Sequence, residues 1–416
     1  MVLESLTQTA TVSSQSLDYD VVIVGGNITG LTLAVTLQQS NLRVAIVEAT
    51  PLEIAASRDR AYAISVFSAR IFAGLGVWDE IFPYIGKFRH IRLSDGNFPQ
   101  VLNFEREDIN NDYLGYVAEH YVLHRALRNR LESSETLEWL CPAKVQTIQH
   151  HDQSVALTIE QEGQQQEIST RLIIGADGMN SRVRQSAGIS TMGWQYWQSC
   201  LTTVFRHSNE ANDVAFERFW HTGPMGILPL TDNRCQLVWT APHAEAQRLK
   251  EIDEQEFVDL LTQRTGGFLK DIELLKDRLV FPVQLMQSNQ YVLPNLALIG
   301  DAAHRCHPVA GQGLNLGIRD AAVLGEILQQ ARDRAEDIGD LQVLKRYQQW
   351  RKTENLAILG FTDILDRSFS NQWLPMVLAR RSAIWMMRKV PPLRRFALEV
   401  MTGLKGKSPA LVSAKE

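Results

Sequence analysis

The residues best placed to do chemistry in this sequence are acids and glycines that stand where apolar runs end. In "NLALIGDAAHRCHPVAGQGLNLGIRD" the apolar run stops at Gly300-Asp301 and gives way to a loop holding Pro308, Gly311 and Gly313. A carboxylate at the carboxyl end of a strand in an α/β sheet sits where such sheets present their ligand site. Glycines and proline also punctuate ordinary surface loops, so the choice rests on the rest of the chain. A second constellation lies in "YDVVIVGGNITGLTLAVTLQQSNLRVAIVEA": Gly25, Gly26, Asn27 and Gly30 follow a β-branched run, and Glu48 ends the next one. Strand, glycine turn, helix, strand and acid form the context that a dinucleotide fingerprint requires, with pyrophosphate at the helix N-terminus and the acid on a ribose. Asn27 stands where the pattern has its middle glycine, and its side chain crowds a phosphate's approach. A third run, "RLIIGADGMNSRVRQSAG", ends in Asp177-Gly178 with Ser181 and Arg184 behind it.

These motifs must be carried by parallel strands alternating with helices, which sets an α/β class. The chain has 416 residues, enough for two or three domains, and its 45% hydrophobic and 21% charged residues are those of a folded globular protein. A net charge of −5 argues against nucleic acid as a partner, because phosphate binding needs a basic face. Cys141, Cys200, Cys235 and Cys306 stand far apart, without metal-ligand spacing, so no metal is expected and a reducing compartment is the simplest inference. Residues 1–17 lack the features of a signal or transit peptide and read as a flexible tail. No run of 18 apolar residues marks a membrane span. A cytoplasmic protein, peripheral on a membrane at most, is the expectation.

Taken in order, "DVVIVGGNITGLTLA", "RAYAIS", "LGYVAEHYVLHRAL", "GADGMNSRVR" and "AGQGLNLGIRDAAVL" resemble the group A FAD-dependent aromatic hydroxylases of the para-hydroxybenzoate hydroxylase type, and among them the ubiquinone-biosynthesis hydroxylases. The resemblance implies a Rossmann-like FAD-binding domain of glutathione-reductase type, a β-rich substrate domain and C-terminal helices. It implies FAD as cofactor and NAD(P)H as a transiently docked reductant, since no second nucleotide fingerprint occurs. It further implies a monooxygenase in which O₂ adds to the flavin C4a and the distal oxygen passes to the ring of a phenol, prenylated if the quinone-biosynthesis likeness holds.

Residue by residue, Gly25, Gly26, Asn27, Gly30 and Glu48 fall on the nucleotide turn, and Gly300 and Asp301 on the ribityl chain. Pro308, Gly311, Gly313, Leu314 and Asn315 fall at the flavin ring, with a helix beginning near Leu314 aimed at its pyrimidine edge. Arg60 matches a position at the flavin edge, and Asp177 and Arg184 the family's DG motif. His124 replaces the usual Gln or Arg near the adenosine half. No catalytic base is identifiable; His221, His304 and His307 are candidates, each more readily read as a satisfied loop histidine. The flavin-binding elements are expected at 18–87, 108–187 and 280–350, the substrate domain at 88–107 and 188–279, and helices at 351–416. "GPMGILPL" is expected over the active site, with Trp220, His221, Met225 and Pro229, together with Phe219, as pocket residues or ordinary packing. "NQWLPMVLARRSAIWMMRKVPPLRRFALEVMTGLKGK" interleaves eight Lys or Arg with Trp and Met against one acid, Glu399. Such a segment can lie on an anionic bilayer or pack as a helical pair with a solvated basic face. Three other roles compete: a flavin halogenase, although WxWxIP is missing; a flavin-dependent prenyl reductase; and a non-catalytic FAD-binding partner in a quinone-biosynthesis assembly.

Overall fold

A computed structural model describes residues 16–96 and 98–413; of the expected tail at 1–17, all but residues 16 and 17 lie outside this range. Along the chain, β1 (Tyr19–Val24) and β2 (Val44–Val47) flank α1 (Ile28–Leu37), and β3 (Ala61–Ser65), β4 (His90–Asp95) and β5 (Gly115–Glu119) follow. Next come α2 (His120–Leu131), β6 (Gln164–Gly175) and the long β7 (Thr191–Arg206), then β8 (Val214–Trp220), β9 (Gly223–Pro229) and β10 (Arg234–Pro242). The strands β11 (Leu279–Ser288) and β12 (Leu296–Leu298) lead into α3 (Gln312–Asp333), α4 (Leu341–Phe369), α5 (Leu374–Lys389) and α6 (Pro391–Thr402).

The first sheet has a parallel core in the order β12, β6, β1, β2 and the strand Leu137–Leu140. Its strands are apolar throughout, and Val21, Val22, Ile23, Ile173 and Ile174 are fully buried in one core with α1 and with Val145, Leu157 and Ile159 of the neighbouring antiparallel strands. The helix α1 packs on α2 and α3, which explains why "ITGLTLAVTL" is buried nearly all round.

The second sheet runs β11, β7, β10, β9, β8, β4 and the strand Leu102–Glu105. Here β4 lies parallel to β8, Val214 facing His90, so the strands of both stretches expected to form the substrate domain share one sheet. The boundary at 280 differs from the sequence reading, since β11 pairs with β7 of this second sheet. One face of the sheet looks toward the flavin-domain loops. The other packs on the helices His243–Glu251 and Glu254–Thr265 through Met225, Ile227, Leu237, Trp239, Phe257 and Leu261.

A buried ionic knot ties α3 and α4 to the loop after β12. Asp320 accepts from His304 Nε2 at 2.5 Å, Arg351 Nε at 2.8 Å, Asn355 Nδ2 at 3.1 Å and the Gly300 amide at 3.1 Å. The cations hold the Asp320 carboxyl far below the ordinary carboxylate range despite complete burial. Farther along, α5 and α6 dock on the second sheet by charge: Arg380 and Arg381 both reach Asp95, and Arg394 grips Asp108 at 2.6 Å.

Candidate active site

Where the two sheets face each other they enclose a cavity of about 400 Å³. Its roof is made of the turn into α1 at Asn27 to Thr29, Arg60 with strand β3, Gly178, Asp301, and Pro308 through Asn315, which runs into the first turn of α3. Its floor is the inner face of the second sheet, with Glu217 on β8, Pro224, Gly226 and Leu228 on β9, and Gln236, Val238 and Thr240 on β10. Phe88, Ile91, Leu93 and Leu114 close one side, and Met401 and Thr402 of α6 another.

Of the sequence-identified residues, Asn27, Arg60, Asp301, Pro308, Gly311, Gly313, Leu314 and Asn315 lie on this wall. Gly25, Gly26, Gly30 and Glu48 form the turn beside it. Glu48 Oε2 accepts from the Gly26 amide at 2.7 Å and Oε1 from Thr50 at 2.8 Å, so the acid is fixed at the end of β2. Asn27 is extended, with φ −87° and ψ 178°, and its Oδ1 accepts from Ile28 at 2.7 Å. The position therefore has no need of glycine, and the side chain caps α1. The helix α3 starts at Gln312, two residues before the expected Leu314. Gly311 caps it at φ +59°, and a Cβ there would come within 2.7 Å of the Ala63 Cβ. Gly313 and Leu314 then lie in the first turn of α3, where amides have no intrahelical partner. Asn315 is committed to the protein, accepting from Ser65 and donating to the Ala63 and Gly311 carbonyls. Arg184 is likewise committed: it donates to Ala302 O at 2.8 Å and Met179 O at 2.6 Å, clasping two loops distant in sequence.

Two of the residues expected on the cofactor side carry buried polar atoms without a hydrogen-bond partner. Asp177 Oδ2 accepts from Arg182 and Val183, but Oδ1 has none, and burial raises its carboxyl. The His124 ring faces Gly26 and Glu48 with neither nitrogen in hydrogen-bonding geometry. Burial pushes this imidazole down to about 4, leaving it neutral at ordinary pH. Orphaned polar atoms beside a nucleotide turn, a carboxylate at the end of β2 and a glycine-lined loop at the N-terminus of α3 fit FAD: nucleotide between β1, α1 and β2, flavin over the Pro308–Asn315 loop.

The expected substrate-side residues are corrected. Met225 and Pro229 point to the opposite face of β9, and the cavity is met by their neighbours Pro224, Gly226 and Leu228. Trp220 packs under the Arg264 guanidinium at 4.6 Å, His221 is an exposed turn residue, and Phe219 stacks on Phe369 at 4.0 Å. None of the three candidate histidines reaches the cavity. His304 belongs to the Asp320 knot. His307 is enclosed by Tyr196, Gln198 and Asp366, and burial drives it down to about 3. Glu217 went unread, although its signal was present: Ala215, Glu217 and Phe219 share one strand face on which only the middle residue is charged.

Residues 18–360 match the profile of a family described as FAD binding domain. The chain is 48% identical to the uncharacterized protein slr1300 of Synechocystis, over 95% of this chain and 96% of that one. It is 34% identical to the 3-demethoxyubiquinol 3-hydroxylase of Escherichia coli, over 92% and 98% respectively. Among solved structures, p-nitrophenol 4-monooxygenase PnpA from Pseudomonas putida superposes with a TM-score of 0.79 at 18% identity, covering 94% of this chain and 100% of that one. At that identity the likeness bears on the fold.

Proposed function

Because the chain belongs to the FAD-dependent aromatic hydroxylases, an enzyme family that uses NAD(P)H and O₂, we propose that its substrate is a prenylated phenol on the way to a quinone. The observation that carries this reading is the two-sided cavity: loops suited to FAD on one side, a largely apolar floor and flank on the other. When bound, FAD takes a hydride from NAD(P)H and makes O₂ competent to transfer one oxygen to a ring. The chain supplies the rest. Glu48 and the amides of α1 hold the nucleotide. Asp301 and the Pro308–Asn315 loop hold the ribityl chain and ring. The positive end of α3 favours negative charge on that ring. Phe88, Ile91, Leu93, Leu114 and Leu228 exclude water and accept an apolar substituent next to the phenol. Likeness to the ubiquinol hydroxylase above supports a prenyl tail.

Rapid mixing of the reduced protein with ¹⁸O₂ and 2-geranylphenol tests the reaction. Label in the ring of the product is expected. Reoxidation without label, or a product with fewer double bonds, would replace hydroxylation with oxidase or reductase chemistry.

We further propose that α5 and α6 rest on an anionic membrane, from which such a substrate would be drawn. Trp373, Leu374, Leu378, Trp385 and Phe396 are each more than half exposed, beside Arg388, Lys389 and Arg395. No helix among the described residues is long and apolar enough to cross a bilayer, so the contact would be interfacial. Co-flotation with phosphatidylglycerol vesicles is expected, weakened in a Trp373→Ser/Trp385→Ser double variant and by high salt. Equal flotation of that variant would place the contact elsewhere or remove it.

A further inference from the structure

We propose that Glu217 is the catalytic base of this site, taking the hydroxyl proton of the phenol so that the ring reacts as phenolate. The role rests on the hydroxylase reading and adds to it the one proton acceptor that the floor of the cavity offers. Glu217 is central in β8, opposite Gly226 of β9. With no side chain there, the carboxylate has room: a Cβ at Gly226 would lie 3.4 Å from Oε2. Its neighbours on the same strand face, Ala215 and Phe219, are apolar and buried, as are Ile91 and Leu93 of the adjoining β4. No hydrogen bond or ion pair to Glu217 is present among the described residues.

The titratable and charged groups that face the same cavity are Arg60 and Tyr62 before and within β3, and Asp301, Arg305 and Cys306 in the loop opposite. Cys200 on β7 lies below, and α6 offers only Met401 and Thr402. Burial alone pushes the Glu217 carboxyl up to about 8, closer to a phenol's range than an ordinary carboxylate and therefore a better match for moving its proton.

The atoms balance. The phenol O–H bond breaks, its proton binds a Glu217 oxygen, and the electron pair stays on the ring oxygen, enriching the ring carbons that attack the electrophilic oxygen. The ring hydrogen then moves to the carbonyl oxygen as aromaticity returns. The proton on Glu217 and the hydrogen delivered by NAD(P)H pass to the second atom of O₂, which leaves as water; one solvent proton ends on the inserted oxygen, and the two electrons come from NAD(P)H.

The test compares wild-type, Glu217→Gln and Glu217→Asp holoenzymes with 2-geranylphenol, reading product formed per NAD(P)H consumed between about pH 6 and pH 9. In the wild type, hydroxylation should rise as pH passes about 8. In Glu217→Gln it should fall by about 100-fold and lose that rise, with KM and FAD content nearly unchanged and NAD(P)H oxidation continuing without product; Glu217→Asp should recover part. Glutamine is nearly isosteric with the neutral carboxyl that the fold already holds, so its Tm should equal or exceed that of the wild type, the gap widening from about pH 5 to about pH 8, where the unfolded carboxyl is ionised while the folded one keeps its proton, and levelling off above that. Product per NAD(P)H within about threefold of wild type with the same pH profile would overturn the role. If the wild type itself labels no phenol, the hydroxylase reading is what fails, and the base assignment falls with it.

Discussion

A Gly30→Val protein is expected to purify without yellow colour. A Cβ at residue 30 would lie 2.0 Å from the Gly25 carbonyl oxygen and 3.4 Å from the Ala176 Cβ. The first of these is backbone, so nothing flexible can yield. Gly25 cannot move in compensation, since at φ +111° a Cβ on it would already stand 2.4 Å from Ala176 O. The remaining response is for α1 to tilt away from β1, carrying off the amides that meet the pyrophosphate. Overpacking of this kind costs about 1–3 kcal/mol in stability, but its effect on FAD should exceed 100-fold because the phosphate contacts depend on backbone position. Flavin absorbance per protein and a fluorescence titration of the apoprotein measure it, with circular dichroism as the check on folding. Gly360→Ala in α4 is the control: nothing lies within 4 Å of the added carbon, so FAD should stay and the helix should gain slightly. Stoichiometric flavin in Gly30→Val would show that the turn is not the nucleotide site.

The largest loss of stability is expected from Arg351→Leu. Arg351 is 1% exposed and donates to Asp320, Glu354 and Asn355. Removing it leaves the buried Asp320 carboxylate with His304 as its one remaining ionisable partner, a change that costs about 3–5 kcal/mol and lowers Tm by about 3–6 °C in a chain of this size. By comparison, breaking the exposed Arg395–Glu399 pair by Glu399→Gln should cost under about 1 kcal/mol. The sign with pH follows from the depressed Asp320 carboxyl. Its stabilisation is complete above about pH 4, where the unfolded carboxyl is ionised, and is lost as pH falls toward the folded value. Arg351→Leu should therefore flatten the acid limb of a Tm–pH curve. Because Asp320 also accepts from Gly300, weaker FAD binding should accompany the loss. A Tm within about 2 °C of wild type would mean that the knot relaxes at little cost.

The two effects show what kinds of information the sequence holds. Gly25, Gly30, Glu48 and Asp301 were readable because each is tied to a strand end by chain-local spacing that backbone geometry enforces. Which side of β9 faces the substrate was not readable. "GPMGILPL" is apolar throughout because both faces of that strand are covered, one by the cavity and one by the helices carrying Phe257 and Leu261. With no alternation to read, inward and outward could not be separated. The histidines misled for a related reason: His304 and His307 neighbour Asp301 in sequence, but their side chains turn toward α3 and α4, where Asp320 and Asp366 wait. Those acids lie far enough along the chain that no local pattern links them. Arg380, Arg381 and Arg394, part of what reads as an unbroken basic stripe, turn out to be spent largely on Asp95 and Asp108.

The parallel pairing of β4 with β8 has a bearing on how new specificities could arise. The floor of the cavity and the side wall that β4 adds to it are written in two stretches of the gene with the residues 108–187 expected to bind flavin between them, so no single crossover between relatives can exchange both intact. A chimaera taking only residues 188–279 would set a foreign β8 against the resident β4, mismatching Ile91 and Leu93 with whatever replaced Ala215 and Glu217. Diversification of such an enzyme is pushed toward point changes on the floor, or toward paired exchanges of both stretches, and away from the cassette swaps open to proteins whose modules are continuous.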